Sequence, residues 1–459
     1  MKIRTLLLGI FAILAFTACD DFLDITPTGK VIATTGDEYR ALLTYEYNKF
    51  TKDRYMTTLL TDELNMDVKN SKDADKDAYL DLWLWKENPS LTTSYFSWRE
   101  YYHSIYIANY IIEHRFEIIE ATSEEINQLV GEAYMMRAYS HFLLVNLYAE
   151  PYTHCNPATT RGVPMMLAAD VNAIPRSSSV EDVYRQVLSD IAEAENYLNV
   201  EKWEEGKNYR FNKISAQALR ARTYLYMGEW QKSLDAAKAV LQVYNEIENL
   251  AINDCPLPNS HKSVESIVSL ERFSSNMYTV INMPSRNFIN MYRKGDLRIK
   301  KFFKRVTTTT YSLLKGGTDE CVSSFRTSEM YLTAAEASAR LGETGEAVNY
   351  LIPLMEKRLD ASGYSTTKKL IDAMDNEQLI QEILDERARE LAFEGHRWND
   401  LRRTTQPELT HSYDYDRNGK FENKEGGEQE IYTLTPDKYT MRFPTSAVEA
   451  NPEIEIWDK

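Results

Sequence analysis

Apolar residues recur at helical spacing along much of the chain. Val180, Val183, Val187, Ile191 and Leu198 are separated by intervals that place them on one face of an α-helix. Amphipathic helices of this kind bury one face against neighbouring helices. The same periodicity predicts helices near 94–150, 179–245, 328–358 and 376–403.

Two predicted helix pairs share a pattern of small residues. Ala221 precedes the turn residue Gly228 by seven positions, and Ala335 precedes Gly342 by the same interval. An apolar residue follows nine positions after each glycine, and this arrangement resembles a degenerate tetratricopeptide (TPR) repeat. The pattern predicts a mainly α fold, a TPR-like helical superhelix. An irregular helical bundle is the alternative.

Three long segments lack helical periodicity. They lie near 60–93, 250–327 and 404–459 and contain many Asp, Asn, Ser, Thr, Pro and aromatic residues. Long insertions of this kind carry function more often than they serve as filler. We therefore expect these loop-rich insertions to form one binding face.

The N-terminal segment has the features of a secretion signal. Lys2 and Arg4 precede an uncharged run over 5–18, which is too short to span a bilayer as a helix. Small residues stand just before Cys19, as in a bacterial lipobox, so residues 1–18 are predicted to be a lipoprotein signal peptide. Cys19 would then carry the lipid, and 19–459 would form a single domain. Ordinary cleavage near Ala18 is the alternative.

Composition narrows the class of partner. The 459 residues include 69 Asp and Glu against 53 Lys and Arg, for a net charge of -16, and the mean hydropathy is -0.48. The charge argues against a nucleic-acid partner, and the hydropathy excludes a polytopic membrane protein. Cys155, Cys255 and Cys321 allow at most one disulfide in the mature chain, and the sequence does not say which pair would form it.

Several segments resemble one known family, in the expected order along the chain. They are Asp20–Pro27 after the lipobox, 131–152, the stretch from Leu384 to Arg403 (LDERARELAFEGHRWNDLRR), Phe443-Pro444 and Asn451-Pro452. Together these segments resemble the SusD/RagB lipoproteins.

The resemblance implies a surface-exposed, lipid-anchored protein of the outer membrane of Bacteroidota. Such proteins cover a SusC-like TonB-dependent transporter and capture oligosaccharides, or in some cases peptides, for import. It also implies that Asp20, Asp21 and Asp24 favour surface export. In the 384–403 stretch, the resemblance implies that three residues form buried ion pairs: Arg387, Glu394 and Arg397.

The insertions supply candidate ligand-binding residues, because aromatic planes stack on the apolar faces of sugars and arginines bind hydroxyls or acids. The spacing of Trp83 and Trp85 predicts a strand with both indoles on one face, and Trp98 is assigned to the core. The alternative is that these aromatic residues pack the loops onto the helices. The candidates are Tyr79, Trp83, Trp85, Arg272, Tyr278, Arg286 and Tyr292.

One segment fits a metal-binding motif. Residues 414–425 match the twelve-residue EF-hand loop at every position, so a structural Ca²⁺ is a candidate cofactor. The flanking glycines and proline argue against a true helix–loop–helix, and an acidic Asn-Gly turn between strands is the alternative. The candidate ligands are Asp414, Asp416, Asn418, Lys420, Glu422 and Glu425.

No catalytic motif stands out. The sequence has no HExxH zinc motif, no Gly-x-Ser-x-Gly elbow and no phosphate-binding loop. We therefore expect a binding protein without catalysis that captures oligosaccharides. A surface glycoside hydrolase, which needs two carboxylates across a sugar, is one alternative. A TPR scaffold that binds a peptide or protein is the other.

Overall fold

The computed structural model describes residues 33–50, 54–66, 79–86, 96–272, 282–308, 310–316, 321–414 and 429–457. Several predictions fall outside these ranges. They concern the signal peptide over 1–18, lipidation at Cys19, the acidic residues up to Asp24, the candidate Tyr278, and the metal ligands from Asp416 to Glu425.

The described part of the chain is dominated by helices, which confirms the predicted mainly α class. Five of the helices, at 36–49, 286–289, 298–301, 361–371 and 445–450, lie outside the ranges that periodicity predicted. The helices are α1 (Gly36–Lys49), α2 (Trp98–Glu113), α3 (Ser123–Tyr148), α4 (Val180–Tyr197), α5 (Lys213–Met227), α6 (Trp230–Leu241), α7 (Arg286–Ile289), α8 (Arg298–Lys301), α9 (Thr327–Arg340), α10 (Thr344–Arg358), α11 (Ala361–Ile371), α12 (Asn376–Glu390), α13 (Arg397–Arg403) and α14 (Thr445–Ala450).

Successive helices pack as α-hairpins. Helix α2 packs on α3, α5 on α6, and α9 on both α10 and α12. Gly228 turns the chain between α5 and α6 at a φ of 75°, and Gly342 turns it between α9 and α10 at a φ of 82°, a conformation that suits glycine. The two helix pairs inferred from small-residue spacing are therefore present, and their turn residues are the predicted ones.

The strands are short and pair two by two. Among the described residues the antiparallel pairs are β1 (Leu64–Met66) with β5 (Asn282–Pro284), β2 (Arg161–Pro164) with β3 (Ser177–Ser179), β4 (Ser266–Val268) with β8 (Phe325–Arg326), β6 (Phe303–Arg305) with β7 (Tyr311–Leu313), and β9 (Leu409–Asp414) with β10 (Gln429–Leu434). The β1–β5 pair joins the first insertion to the second, as does the hydroxyl of Ser285, which donates to the carbonyl of Asp62 at 2.6 Å.

A buried ion network joins the second insertion to α10 and α12. Glu390 accepts hydrogen bonds from Arg358 at 2.8 Å, Arg326 at 2.7 Å and Arg298 at 3.1 Å. Burial by itself would raise the pKa of Glu390, but the three guanidinium groups outweigh it and hold that pKa well below its ordinary value. Because an unpaired buried charge is costly, this network fixes the second insertion against the helices.

The family resemblance implied buried ion pairs at three residues; all three are paired, and the pairs of Arg387 and Glu394 are buried while that of Arg397 is half-buried. Arg387 lies 3.1 Å from Asp400, and Arg397 lies 2.7 Å from Asp62. Glu394 pairs with Arg326 at 2.8 Å and with Lys315 at 2.5 Å. The conspicuous charged stretch from Leu384 to Arg403 therefore serves the architecture, as expected.

Gly395, within that stretch, permits a close approach. A Cβ at this position would lie 2.3 Å from the carbonyl oxygen of Arg54, and its φ is 71°. Only glycine fits both restrictions. The segment Arg54–Leu60 can consequently pack directly against the turn that precedes α13.

Two further features of the described residues concern the environment of the chain. Cys155, Cys255 and Cys321 are free thiols, so no disulfide links them. None of the described helices combines the length and the apolar character that crossing a bilayer requires. The assignment of 19–459 to one domain stays a prediction.

Candidate functional site

An open cavity of about 780 Å³ lies beside the first helical pair, and we call it the aromatic cavity. Three segments surround it: the first half of α2, the connection over 164–175, and the C-terminal segment over 444–454. Its size is within the range of small-molecule sites in proteins.

The first wall consists of aromatic side chains of α2. Trp98, Tyr102 and Tyr106 follow at intervals of four residues, which places them on one helix face. The rings of Trp98 and Tyr102 lie 4.9 Å apart, and Trp98 also contacts Tyr148 and Phe443 at 5.1 Å. Trp98 thus packs on the core, as predicted. It also lines the cavity, and this second role was not predicted.

Tyr102 fixes the first wall to the second. Its hydroxyl donates a hydrogen bond of 2.8 Å to the carbonyl of Pro164. Burial raises the pKa of Tyr102 well above its ordinary value, so the hydroxyl stays neutral and remains a donor.

The second wall is held by a relay of buried polar groups. The amide nitrogen of Asn109 donates to the carbonyls of Met166 at 3.1 Å and Ala168 at 3.0 Å. Its amide oxygen accepts from Arg137 at 2.8 Å, and Arg137 is in turn paired with Asp190. The backbone of the connection is thereby fixed relative to α2, α3 and α4.

The third wall is tied to the second at its far end. Asn451 donates to the carbonyl of Pro175 at 2.8 Å, and Ser177 donates to the carbonyl of Ile454 at 2.7 Å. Arg176 forms an ion pair with Glu453 at 2.7 Å. All three walls are therefore anchored by hydrogen bonds, and the cavity is a preformed feature of the fold.

The chemistry of the aromatic cavity is mixed. Apolar surface comes from the aromatic wall and from proline, alanine and valine residues, while Arg99, Glu100, Asp170 and Asn451 supply charged and polar groups. Aromatic planes accept the C–H faces of sugar rings, and the polar groups can exchange hydrogen bonds with hydroxyls. The arrangement suits a ligand with one apolar face and many hydroxyls.

Trp83 and Trp85, two of the predicted ligand-binding residues, have packing roles instead. They are 3% and 7% exposed, and their indole nitrogens donate to the carbonyls of Leu64 at 3.3 Å and Leu60 at 3.0 Å. The predicted strand is also wrong, because residues 79–83 are helical and Trp85 has a left-handed φ of 52°. The alternative interpretation, packing of the loop, holds for both indoles.

The partner of both indoles is His411 of β9. Its ring lies 4.1 Å from that of Trp83 and 4.2 Å from that of Trp85, with the planes within 15° of parallel. Two indoles stacked at that distance on the same face of the imidazole would overlap. Trp83 and Trp85 therefore cover opposite faces of the ring. The carbonyl of Trp83 can only accept, so Nδ1 of His411 carries the proton of their 2.8 Å hydrogen bond.

The other predicted residues are dispersed. Tyr292 is a core residue, 8% exposed, whose hydroxyl donates to the carbonyl of Arg389 at 2.8 Å. Arg286 is exposed at the start of α7, and Tyr79 is half-buried against the core. Arg272 lines a separate cavity of about 210 Å³. None of them lines the aromatic cavity, so ligand binding by Tyr79, Arg272 and Arg286 stays a prediction.

The calcium prediction also stays untested. Asp414 ends β9 and pairs in register with Gln429, the first residue of β10, so the candidate loop joins two antiparallel strands. This excludes helices directly flanking the loop, as the sequence suggested. Within the described ranges, no three His, Cys, Asp or Glu side chains form a group that could hold a metal ion.

Comparison with known proteins agrees with this architecture. One family model, described as "Starch-binding associating with outer membrane", matches residues 21–225, and another, described as the SusD family, matches residues 256–455. The two matches together span most of the chain, and the protein belongs to the SusD/RagB family.

Relatives and solved structures give the same result. SusD-like protein P38 of Formosa agariphila is 25% identical over 394 residues, which are 69% of this chain and 73% of that protein. A SusD superfamily structure from Bacteroides thetaiotaomicron has a TM-score of 0.74 at 23% identity, covering 93% of this chain and all of the other. A SusD-like carbohydrate binding protein from Bacteroides vulgatus has a TM-score of 0.69 at 17% identity, covering 92% and 98%. The two structures establish the shared fold.

Proposed function

We propose that this protein is a lipid-anchored receptor on the outer surface of the cell, which captures oligosaccharides for import through a SusC-like TonB-dependent transporter. The aromatic cavity is the observation that carries this proposal. Trp98, Tyr102 and Tyr106 all line this cavity, on a family scaffold whose model description reads "Starch-binding associating with outer membrane".

Reversible capture needs a preformed surface that binds its ligand with moderate affinity. The aromatic wall supplies stacking area, and Arg99, Glu100 and Asp170 supply polar contacts around it. Because the walls are already fixed by hydrogen bonds, little conformational entropy is lost when a ligand enters.

A glycan array with the purified protein, followed by titration calorimetry of the oligosaccharides that bind, tests this proposal. We expect saturable binding of at least one class of oligosaccharide. A wholly blank array, with co-purification of the transporter retained, would contradict glycan capture and favour a peptide-binding or protein-binding scaffold.

Anchoring and partnership are separate parts of the proposal. Lipidation at Cys19 should make the protein incorporate a labelled fatty acid, and Cys19→Ala should release it from the membrane. The SusC-like partner should co-purify from membranes with the wild-type protein. Unlabelled wild-type protein would contradict the anchor.

We infer that binding leaves the bonds of the oligosaccharide intact. Glu100 and Asp170 both line the aromatic cavity, so the glycosidase alternative has its own test. Chromatography of an oligosaccharide after incubation with the protein should recover it unchanged. Release of shorter products that disappears in Glu100→Gln or Asp170→Asn would establish the hydrolase instead.

A further inference from the structure

A second cavity, of about 370 Å³, lies between the N-terminal ends of α1 and α3 and the connection between α4 and α5. We call it the arginine cavity. It shares no lining residue with the aromatic cavity.

Two arginines that line this cavity, and that we call its base, converge on one carboxylate buried beneath them. Glu132 is fully buried on α3 and accepts from Arg40 at 2.9 and 3.3 Å and from Arg210 at 2.7 and 3.2 Å. It also accepts from Tyr47 at 2.9 Å and from Gln128 at 3.0 Å.

The base therefore has more donors than Glu132 can satisfy. Six N–H and O–H groups point at a carboxylate that offers about four acceptor positions. Among the described residues, Arg40 Nε and Arg210 Nη1 have no acceptor. Two guanidinium groups against one carboxylate leave one positive charge, and this part of the cavity suits an anion.

The rim has the opposite charge. Four carboxylates line the cavity: Asp37 in the first turn of α1, Glu124 and Glu125 in the first turn of α3, and Glu120 in the connection that precedes α3. Glu120 has a left-handed φ of 54°, which a residue with a side chain adopts only where its surroundings enforce it. The backbone N–H of Gly36 donates to the carbonyl of Ile119 at 2.9 Å and holds this turn against α1.

An indole forms the side wall between base and rim. The guanidinium of Arg210 lies 4.0 Å from the ring of Trp203, and the indole nitrogen donates to the carbonyl of Phe211 at 3.0 Å. The half-buried Trp203 is thus fixed in place and offers apolar surface to whatever enters.

We propose that the arginine cavity binds a small zwitterion, of the class of short peptides with free termini. The carboxylate would meet Arg40 and Arg210, the ammonium would meet the acidic rim, and the body would lie against Trp203. A simple anion would be repelled by the acidic rim. A neutral sugar would leave the charges of the arginines and of the rim without partners. The proposal is independent of oligosaccharide capture, because it uses different residues and a different ligand.

Titration calorimetry on the full mature chain tests the proposal with the tripeptide Ala-Leu-Ala and two blocked forms of it. The free tripeptide should bind, and its N-acetylated and C-amidated forms should each bind at least tenfold more weakly. Absence of heat with the free tripeptide at millimolar concentration would overturn the proposal, and so would equal affinity of either blocked form.

Two variants locate the site. Arg40→Gln and Asp37→Asn should each weaken tripeptide binding at least tenfold, while the charge-matched surface controls Arg185→Gln and Asp235→Asn should leave it unchanged. Asp37 is exposed, so Asp37→Asn should keep the wild-type melting temperature even if Arg40→Gln lowers it. Wild-type affinity in a folded Asp37→Asn variant would reject the acidic rim as the ammonium site.

Discussion

Arg397 and Asp62 are separated by 335 residues and form a two-point ion pair. Nε of the guanidinium lies 2.9 Å from one carboxylate oxygen of Asp62, and Nη2 lies 2.7 Å from the other. The pair connects the start of α13 to the first insertion, just before β1. It therefore links the last TPR-like helices to the first insertion. Helical periodicity alone does not predict where that insertion packs.

Loss of this pair should destabilise the whole fold. In Arg397→Ala, Asp62 loses its partner, and we expect a loss of about 2 kcal/mol in the free energy of unfolding, because a bidentate and half-buried pair is broken. Urea unfolding followed by circular dichroism measures it. Arg185→Ala, which breaks an exposed pair with Asp182, should cost under about 1 kcal/mol. Unchanged stability in Arg397→Ala would contradict the structural role.

The sequence predicted the helices better than it predicted the site. Turn residues such as Gly228 and Gly342 act locally, so spacing along the chain reveals them. The partner of Arg397 is distant in sequence and has no local signature, so it was expected only through the family resemblance, which named the arginine but not Asp62.

The packing of Trp83 and Trp85 could not be read from the sequence, for an equally physical reason. A tryptophan in a loop has the same local sequence whether it faces solvent or packs, and His411, which fills the space between Trp83 and Trp85, lies in another insertion. The aromatic wall did have a signal, since Trp98, Tyr102 and Tyr106 stand at intervals of four. That spacing also describes a helix face packed on a core, and only the neighbouring walls show which part of the face is open.

Acid should loosen the hairpin formed by β9 and β10. Burial between two indoles lowers the pKa of His411 from 6.5 to about 4, so the folded protein keeps it neutral where the unfolded chain would protonate it. The unfolded state then binds more protons, and stability falls as pH drops from about 6.5 to 4, by up to about 1.4 kcal/mol per pH unit.

The variant His411→Phe isolates this effect. It keeps a flat ring between the indoles and removes the titrating group, so the stability advantage of the wild type over the variant should shrink between pH 7 and pH 5. Urea unfolding at both pH values measures the difference. His141 and His396 are present in both proteins, so their contributions to the pH dependence of stability cancel. The same difference at pH 7 and pH 5 would contradict the assignment.

Glu63 should produce the opposite pH dependence. Burial raises the pKa of this carboxyl from 4.5 to about 8, despite the hydrogen bond of 2.8 Å that it accepts from the backbone of Phe393. The folded state retains the proton that the unfolded state releases, so the contribution is complete below pH 4.5 and is lost as pH rises towards 8. Compared with Glu63→Gln, the wild type should lose up to about 1.4 kcal/mol per pH unit over that window. Parallel stability curves for the two proteins would show that Glu63 does not titrate there.

Calcium should bind the segment that connects β9 to β10. Residues 414–425 match an EF-hand loop and would supply its oxygen ligands, and Asp414 and Gln429, at the two ends of the connecting segment, are paired in register. Calorimetry on the chelated full chain should show Ca²⁺ binding and a raised melting temperature, both absent in Asp414→Ala. Asp437→Asn, an acidic position outside the loop, is the control. No heat with the wild type would reject the site and favour an ordinary acidic turn.

The aromatic wall yields the most direct test of function. Tyr106 lies at the end of the wall, is only half-buried and lines the cavity, so Tyr106→Ala should weaken oligosaccharide binding about tenfold without lowering the melting temperature. Loss of one stacked aromatic ring is worth about 0.5–1.5 kcal/mol beyond its buried area, which accounts for a change of that size.

Two companions make this result specific. Tyr45→Ala removes an exposed tyrosine from α1, outside the cavity, and should leave affinity unchanged. Tyr102→Phe keeps the ring but removes the hydroxyl that donates to Pro164, so it should lower stability through the second wall while retaining much of the stacking surface. If Tyr106→Ala bound the oligosaccharide as tightly as the wild type, the ligand would have to lie elsewhere, and the insertion arginines Arg272 and Arg286 would become the next residues to change.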